Sequence, residues 1–252
     1  MMVSMLVSSV ITAAGQNFRM KKSQKLNNIP LKNKLLLLFP SYINEFYNEN
    51  IDINNDDIKT IDKSTIIETT INNVLSSKVD ECIIVLGHYA EEIEKIILNI
   101  SDSRIKIIKN DNVNVSLSHS LLNGLKHCTH DYVLCLAGDQ PTISSKTYEN
   151  IIDSFFKLKN PEKSISILRR KNYGILDTAE GLGMPFITSK NQLINYLDGK
   201  NDNLNPLLRK IFEDKFCFHG IKESNKLELR NINDWNEYQN VLKILNSYKY
   251  KK

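Results

Sequence analysis

None of the four cysteines, Cys82, Cys128, Cys135 and Cys217, belongs to a Cys-x-x-Cys pair, and the chain has no His-Glu-x-x-His. Those absences remove the common zinc and dithiol spacings. Three of the cysteines lie in or beside apolar segments, which reads as buried free thiols in a reducing cytoplasm. The cluster His127-Cys128-Thr129-His130 falls at an expected helix end, where histidine complements the helix dipole, and is not read as a metal centre. No apolar run is long enough to span a bilayer, so no membrane partner is expected. There is no GxGxxG and no P-loop pattern, no internal repeat and no stretch that divides two domains. The 252 residues therefore read as a single domain. Excess charge is also small: a formal +4, with lysines spread along the chain, does not demand nucleic acid and suits an anionic small substrate.

What is present centres on the stretch DYVLCLAGDQP at 131–141. Tyr132 to Leu136 reads as a buried strand, ended by the small residues Ala137 and Gly138, and Asp139 stands at its carboxyl end. Open α/β sheets bind ligands at that edge, and one carboxylate there can hold Mg²⁺ together with substrate phosphates. Gly-Asp-x-Pro is also an ordinary turn composition, so the stretch taken alone favours a structural role.

The first fifteen residues carry an apolar run and small residues, as a secretory signal does, but lack its positively charged start. We read 6–12 as a first buried strand. It runs into Ala13-Ala14-Gly15-Gln16-Asn17-Phe18-Arg19-Met20, where small residues let backbone N–H groups approach a phosphate and Arg19 adds a fixed charge. A plain strand-to-loop junction has a similar composition.

Beyond the loop, 21–33 is polar and Lys34 opens the apolar run 35–39. Residues 40–59, rich in Asn, Asp, Tyr and Glu, read as an exposed insertion. A helix is expected over 64–77 with Ser64 as its cap. Strand, helix and strand follow at 81–87, 90–99 and 105–108, the βαβ pattern of a parallel sheet. Ser116 and Ser118 introduce a helix to about Lys126, either as caps or as an anion-accepting corner. A helix over 144–158, a strand at 164–168 and a basic turn Arg169-Arg170-Lys171 come next. Amphipathic segments at 191–197 and 204–212, a short strand at 227–229 and a helix over 234–245 complete the chain.

Taken together these segments resemble the MobA-like nucleotidyltransferases, most closely the molybdenum cofactor cytidylyltransferases. The opening loop Thr12-Ala13-Ala14-Gly15-Gln16-Asn17-Phe18-Arg19-Met20-Lys21 matches that family's Leu-Ala-Ala-Gly-x-Ser-x-Arg-Met-Gly. Lys34-Leu35-Leu36, Val85-Leu86-Gly87-His88, the run from Asn110 to Leu125 and the intact Gly138-Asp139-Gln140-Pro141 match in order. The departures are Asn17 for Ser, Lys21 for Gly, Ser116 for Gly, Met184 in Gly-His-Pro, Leu204-Asn205-Pro206 near Arg209 in place of Gly-Ala-Arg, and Asn231-Ile232-Asn233 for Asp-Ile-Asp.

The resemblance implies a Rossmann-like three-layer α/β/α sandwich with a mostly parallel sheet, the nucleotidyltransferase fold. It implies transfer of a nucleoside monophosphate, CMP from CTP, to a phosphorylated small molecule such as the molybdopterin cofactor, with pyrophosphate leaving. Thr12, Ala13, Ala14, Gly15 and Arg19 would hold the triphosphate and Lys34, with Lys25 as a rival, would reach its phosphates. Asn110, Asp111, Ser116 and Ser118 would lie near the nucleotide. Asp139, with Asn233 or Asn231 as the second ligand, would bind Mg²⁺. A cytoplasmic setting is expected. The departures on the acceptor side leave open a non-catalytic nucleotide- or cofactor-binding protein that serves a client metalloenzyme.

Overall fold

The computed structural model describes residues 5–40, 63–169, 172–200 and 203–249. Its centre is β1 (Val7–Ala13), whose seven residues are all buried. A strand covered on both faces needs β-branched and small residues throughout, and Val-Ser-Ser-Val-Ile-Thr-Ala supplies them. Its two buried serines are paired: Ser8 Oγ donates to Glu81 Oε2 at 2.6 Å, and Ser9 Oγ to the Glu81 carbonyl at 3.1 Å.

Helix α1 (Phe18–Leu26) follows, then a ribbon of β2 (Leu38–Pro40) and β3 (Lys63–Thr65). The chain continues through α2 (Ile66–Leu75), β4 (Glu81–Leu86), α3 (Ala90–Ile97), β5 (Ile105–Lys109), α4 (Leu117–Lys126) and β6 (Tyr132–Ala137). Next come α5 (Ser145–Phe156), β7 (Ser164–Leu168), β8 (Gly174–Ile175), β9 (Phe186–Ser189), α6 (Lys190–Leu197), α7 (Leu204–Glu213), β10 (Cys217–Ile221) and α8 (Trp235–Lys249). The main sheet has the order β5-β4-β1-β6-β9-β7-β10-β8. Strands β5, β4, β1 and β6 are mutually parallel; β9 runs against both β6 and β7, so β7 and its parallel partner β10 share the direction of β6.

Period-two alternation sorts the side chains into two cores. Val7, Ile11, Ile84 and Leu134 face α2, α3, α5 and α8, whereas Val10, Ile83, Val85 and Cys135 face α4, α6 and α7. This is the mostly parallel three-layer sandwich the sequence predicts.

Several local expectations are corrected. Helix α2 is capped by Thr65 rather than Ser64, because Glu68 lies three residues on: its Oε2 accepts the Thr65 N–H at 2.6 Å and closes a capping box. Residues 227–229 form a 3₁₀ turn rather than a strand. The buried Glu228 carboxylate forces that shape, since it collects Ser144 N–H and Oγ, Thr147 Oγ1 and Ser224 N–H. Arg169 is only 4% exposed, not in a solvated turn; its Nη1 donates to the Glu180 carbonyl at 2.5 Å. Helix α1 and strands β8 and β10 had no counterpart in the sequence reading. Of the expected insertion only Pro40 falls among the described residues, as the last residue of β2. The rest of 40–59 lies outside them, as do Arg170 and Lys171.

Candidate active site

Parallel strands place their carboxyl ends along one edge of the sheet. That edge collects the loop after β1, Gly87-His88 after β4, residues 110–116 after β5, Gly138 to Gln140 after β6, and Arg169 after β7. Antiparallel β9 begins there, so Met184 and the cis-linked Pro185 also reach it. The chain leaves β1 toward β4 and β5 and later returns to β6 on the other side of β1. The crevice between the ends of β1 and β6 is therefore the topological switch point.

The loop from Ala14 to Asn17 leaves the end of β1 at this edge and packs against Gly87 and His88 after β4. Gly138 N–H donates to the Thr12 carbonyl at 2.9 Å, which ties the Asp139 turn to the loop's root. A Cβ at Gly87 would stand 2.8 Å from Ala14 Cβ, so only glycine lets the loop settle that closely. A Cβ at Gly15 would meet nothing within 4 Å, so the loop presents open backbone at that point. Asn17 takes a left-handed conformation, φ 65°, and α1 starts at the next residue with no side-chain cap on its first amides. The exposed helix start and the loop N–H groups form an anion-accepting corner.

Lys34 is brought to this corner by Asn17. The Asn17 Oδ1 accepts the Lys34 N–H at 3.3 Å, and its Nδ2 donates to the Lys32 carbonyl at 3.2 Å. Asn33 Oδ1 caps the following 3₁₀ turn by accepting from Leu35 N–H. The Lys34 Nζ then donates to Asp139 Oδ2, with the two side chains 19% and 21% exposed. Lys25 sits in the last turn of α1 and is exposed, so Lys34 is the lysine at the carboxylate. Arg19 Nη2 donates to Asn233 Oδ1 at 2.8 Å, which brings the start of α8 to the opening loop.

The other expected site residues divide into lining and support. Thr12 and Ala13 are buried in β1, and the Thr12 hydroxyl donates to the Leu136 carbonyl at 3.3 Å. Asn110 is buried, donates to Ser120 Oγ and accepts from Asn123 Nδ2. These three shape the edge from beneath. Asp111 is exposed, Ser116 caps α4 and Ser118 lies behind it with the two hydroxyl oxygens 2.8 Å apart. The loops that follow β1 and β5 meet where Gln16 Nε2 donates to Asn114 Oδ1 at 3.1 Å. Sequence reasoning missed the roles of Asn17 and Gln16; the replacement of the family's serine by Asn17 was the available signal. Gln140 also has a role unseen in sequence: it accepts from Ala137 N–H and donates to the Met184 carbonyl, both at 3.1 Å.

Among the described residues no group of three or more His, Cys, Asp and Glu is arranged to hold a metal ion, including the 127–130 cluster. Asp139 stands as a lone carboxylate beside an anion-accepting loop. That donor set fits Mg²⁺, which takes one or two carboxylates and completes its shell with substrate phosphates and water. No helix among the described residues is long and apolar enough to cross a membrane.

A mostly parallel sheet with an anion-accepting loop, a lysine and a carboxylate at its switch point fits a nucleotidyltransferase. Residues 58–197 match the MobA-like NTP transferase domain, and the chain belongs to that family. It is similar to the solved structure of a nucleotidyl transferase from Methanothermobacter thermautotroptrophicus, at 34% identity and TM-score 0.78, covering 94% of this chain and 95% of that one. The fold is shared with 4-diphosphocytidyl-2C-methyl-D-erythritol synthase from Anaerococcus prevotii, at 16% identity and TM-score 0.62 over 96% of each chain. Over 126 residues, half of this chain, it is 26% identical to the bifunctional protein GlmU of Francisella philomiragia, and the match covers 25% of that protein's length.

Proposed function

We propose that the chain is a single MobA-like NTP transferase domain over residues 1–252 that transfers CMP from CTP, with Mg²⁺, to a phosphorylated small molecule of the molybdopterin cofactor type. The observation that carries the reading is the meeting of Lys34 and Asp139 at the switch point, with the Lys34 backbone tied to the opening loop through Asn17. An acceptor phosphate oxygen attacks the α-phosphorus of the nucleotide, the bond to the β-phosphate oxygen breaks, and pyrophosphate leaves. No protein nucleophile is required, so the task of the chain is positioning and neutralising charge. The open backbone at Gly15, the start of α1 and Arg19 supply donors for the triphosphate. Lys34 supplies a mobile charge for the phosphates, and Asp139 with Asn233 supplies oxygen ligands for Mg²⁺. Asp111 and Ser116 face the nucleotide from the β5 side, supported by Ser118 and Asn110. Cytidine as the base is supported by the resemblance in the Gly-Asp-Gln-Pro segment.

Calorimetric titration with CTP, GTP, ATP and UTP, each with and without Mg²⁺, tests the reading. CTP should bind most tightly and should need Mg²⁺ to do so. Preference for another base would replace CTP, and binding of none of the four by the folded protein would remove the reading altogether.

A further inference from the structure

Two polar side chains lie on the buried side of α2. Thr70 and Asn73 are both 0% exposed and stand three residues apart, so they share one face of the helix. The Thr70 hydroxyl lies 2.9 Å from the Ile66 carbonyl, the ordinary partner of a helical threonine. It also lies 3.1 Å from the Gly138 carbonyl, in the peptide that precedes Asp139. The Asn73 Nδ2 donates to the Pro141 carbonyl at 3.2 Å and to the Ile143 carbonyl at 2.8 Å, on the far side of the same turn. Asp139 is thus bracketed along the chain by side chains of one helix. The packing is close: a Cβ at Gly138 would stand 2.8 Å from Ile67 Cδ1. The same helix holds the lysine segment. Its first N–H, from Ile66, has no carbonyl to meet within the helix and donates at 3.0 Å to Leu37, directly after the Lys34–Leu36 turn. Burying an amide is costly unless its groups are paired, and among the described residues the Asn73 Oδ1 has no partner. What Asn73 gives the fold is therefore the two carbonyls it fixes beyond Asp139.

We propose that α2 is the mount that sets Lys34 against Asp139, and that Thr70 and Asn73 are positioning residues that aim the Asp139 carboxylate. The inference rests on the nucleotidyltransferase reading above. A side chain just beyond a strand takes its direction from the turn that carries it, and Gly138 by itself resists rotation little. Thr70 fixes the peptide between Gly138 and Asp139, and Asn73 fixes the chain beyond it. With both contacts made, the carboxylate direction is set before any ligand arrives. Without them the turn is free to rotate while helix and strand stay folded. Both side chains are fully buried, so they act on the site only through the backbone on either side of Asp139. Removing groups that orient a metal-binding side chain typically costs roughly 10- to 100-fold in metal affinity.

The test compares wild type, Thr70→Val, Thr70→Ser, Asn73→Ala and Ile71→Val. Mn²⁺ binding is read by electron paramagnetic resonance, in the presence of whichever of CTP, GTP, ATP and UTP wild type binds most tightly. Urea denaturation reports folding stability for each variant. Thr70→Val keeps the shape of the side chain and removes its hydroxyl, so Mn²⁺ affinity should fall roughly 10-fold. Thr70→Ser returns the hydroxyl and should bind Mn²⁺ as wild type does. Asn73→Ala gives an arm independent of Thr70 and should also weaken Mn²⁺ roughly 10-fold. Ile71→Val trims the buried face of the same helix without removing a polar group. It should lower the urea midpoint and leave Mn²⁺ affinity unchanged. Unchanged Mn²⁺ affinity in folded Thr70→Val or folded Asn73→Ala would overturn the proposal. Equal weakening in Thr70→Ser or in Ile71→Val would also overturn it, because packing rather than the two contacts would then govern the site. Failure of the underlying reading is distinguishable, since wild type itself would then bind none of the four nucleotides.

Discussion

The Asn17 carboxamide clasps the segment that carries Lys34: its oxygen accepts the Lys34 N–H at 3.3 Å and its nitrogen donates to the Lys32 carbonyl at 3.2 Å. Asn17 does this from a left-handed backbone, φ 65°, which asparagine tolerates better than most residues. Asn17→Ala should lose both the clasp and the backbone tolerance, about 2 kcal/mol. Asn17→Gly should lose the clasp but relieve the backbone, about 1 kcal/mol. Both should weaken nucleotide binding to the same degree, because both free Lys34. Urea denaturation and calorimetric titration separate the two effects, and restored binding in the glycine variant would show that the clasp is not what positions Lys34.

Helix α4 packs on the sheet through Gly124. A Cβ there would stand 2.5 Å from Val10 Cγ1 and 2.8 Å from Val85 Cγ2, both in the buried centre of the sheet. Gly124→Ala gains about 1 kcal/mol of helix propensity but overpacks a closed core, which costs roughly 1–3 kcal/mol. The packing cost should win, and the variant should melt below the wild type. A higher melting temperature would mean that α4 can shift away from β1 without loss.

Glu81 joins three elements beneath β1. It accepts from Ser8 Oγ, Thr129 N–H and Lys106 Nζ. Burial pushes its carboxyl pKa up, but the hydrogen bonds from Lys106, Ser8 and Thr129 outweigh it and hold the group at about 2, from an ordinary 4.5. A carboxylate whose folded value is depressed adds stability above its unfolded value and loses it as pH falls toward the folded one. With Lys106 half exposed, the contribution is about 2 kcal/mol. Wild type should exceed Glu81→Gln in stability at pH 7, and the two should converge as pH falls from about 4.5 to about 2. A stability gap that stays constant through that window, in denaturant titrations at stepped pH, would contradict the role.

Gln140 lies beside Asp139 but spends its amide on backbone, between Ala137 N–H and the Met184 carbonyl. Gln140→Ala should cost about 1–2 kcal/mol by stranding those groups. The order of affinity among CTP, GTP, ATP and UTP should stay unchanged. A changed order in competition titrations would give Gln140 a direct part in base selection.

Much of this architecture was legible because buried parallel strands need near-continuous apolar runs. Val7, Val10, Ile11, the 82–86 run and the 132–136 run all announce themselves, and Ser116 and Ser144 announce helices by their capping hydroxyls. Helix α1 was hidden because it buries little beyond Met20, Ser23 and Gln24, so it carries no apolar stripe. Strand β10 was hidden because Cys217, His219 and Gly220 interrupt its hydrophobic signal, although its pairing with β7 makes it a regular member of the sheet.

By itself the sequence determined the layered α/β class, the succession of strands and helices from β4 to β7 and the pair of segments that meet at the site, since each depends on local periodicity and composition. Which groups touch was decided by the tertiary structure alone. That Lys34 rather than Lys25 reaches Asp139, that Arg19 meets Asn233, and that Asn17 clasps the lysine segment are contacts between residues from 15 to 214 apart in the chain. Such contacts follow from the register of β1 between β4 and β6, which brings the carboxyl ends of separate strands to one crevice, and no local pattern encodes that register.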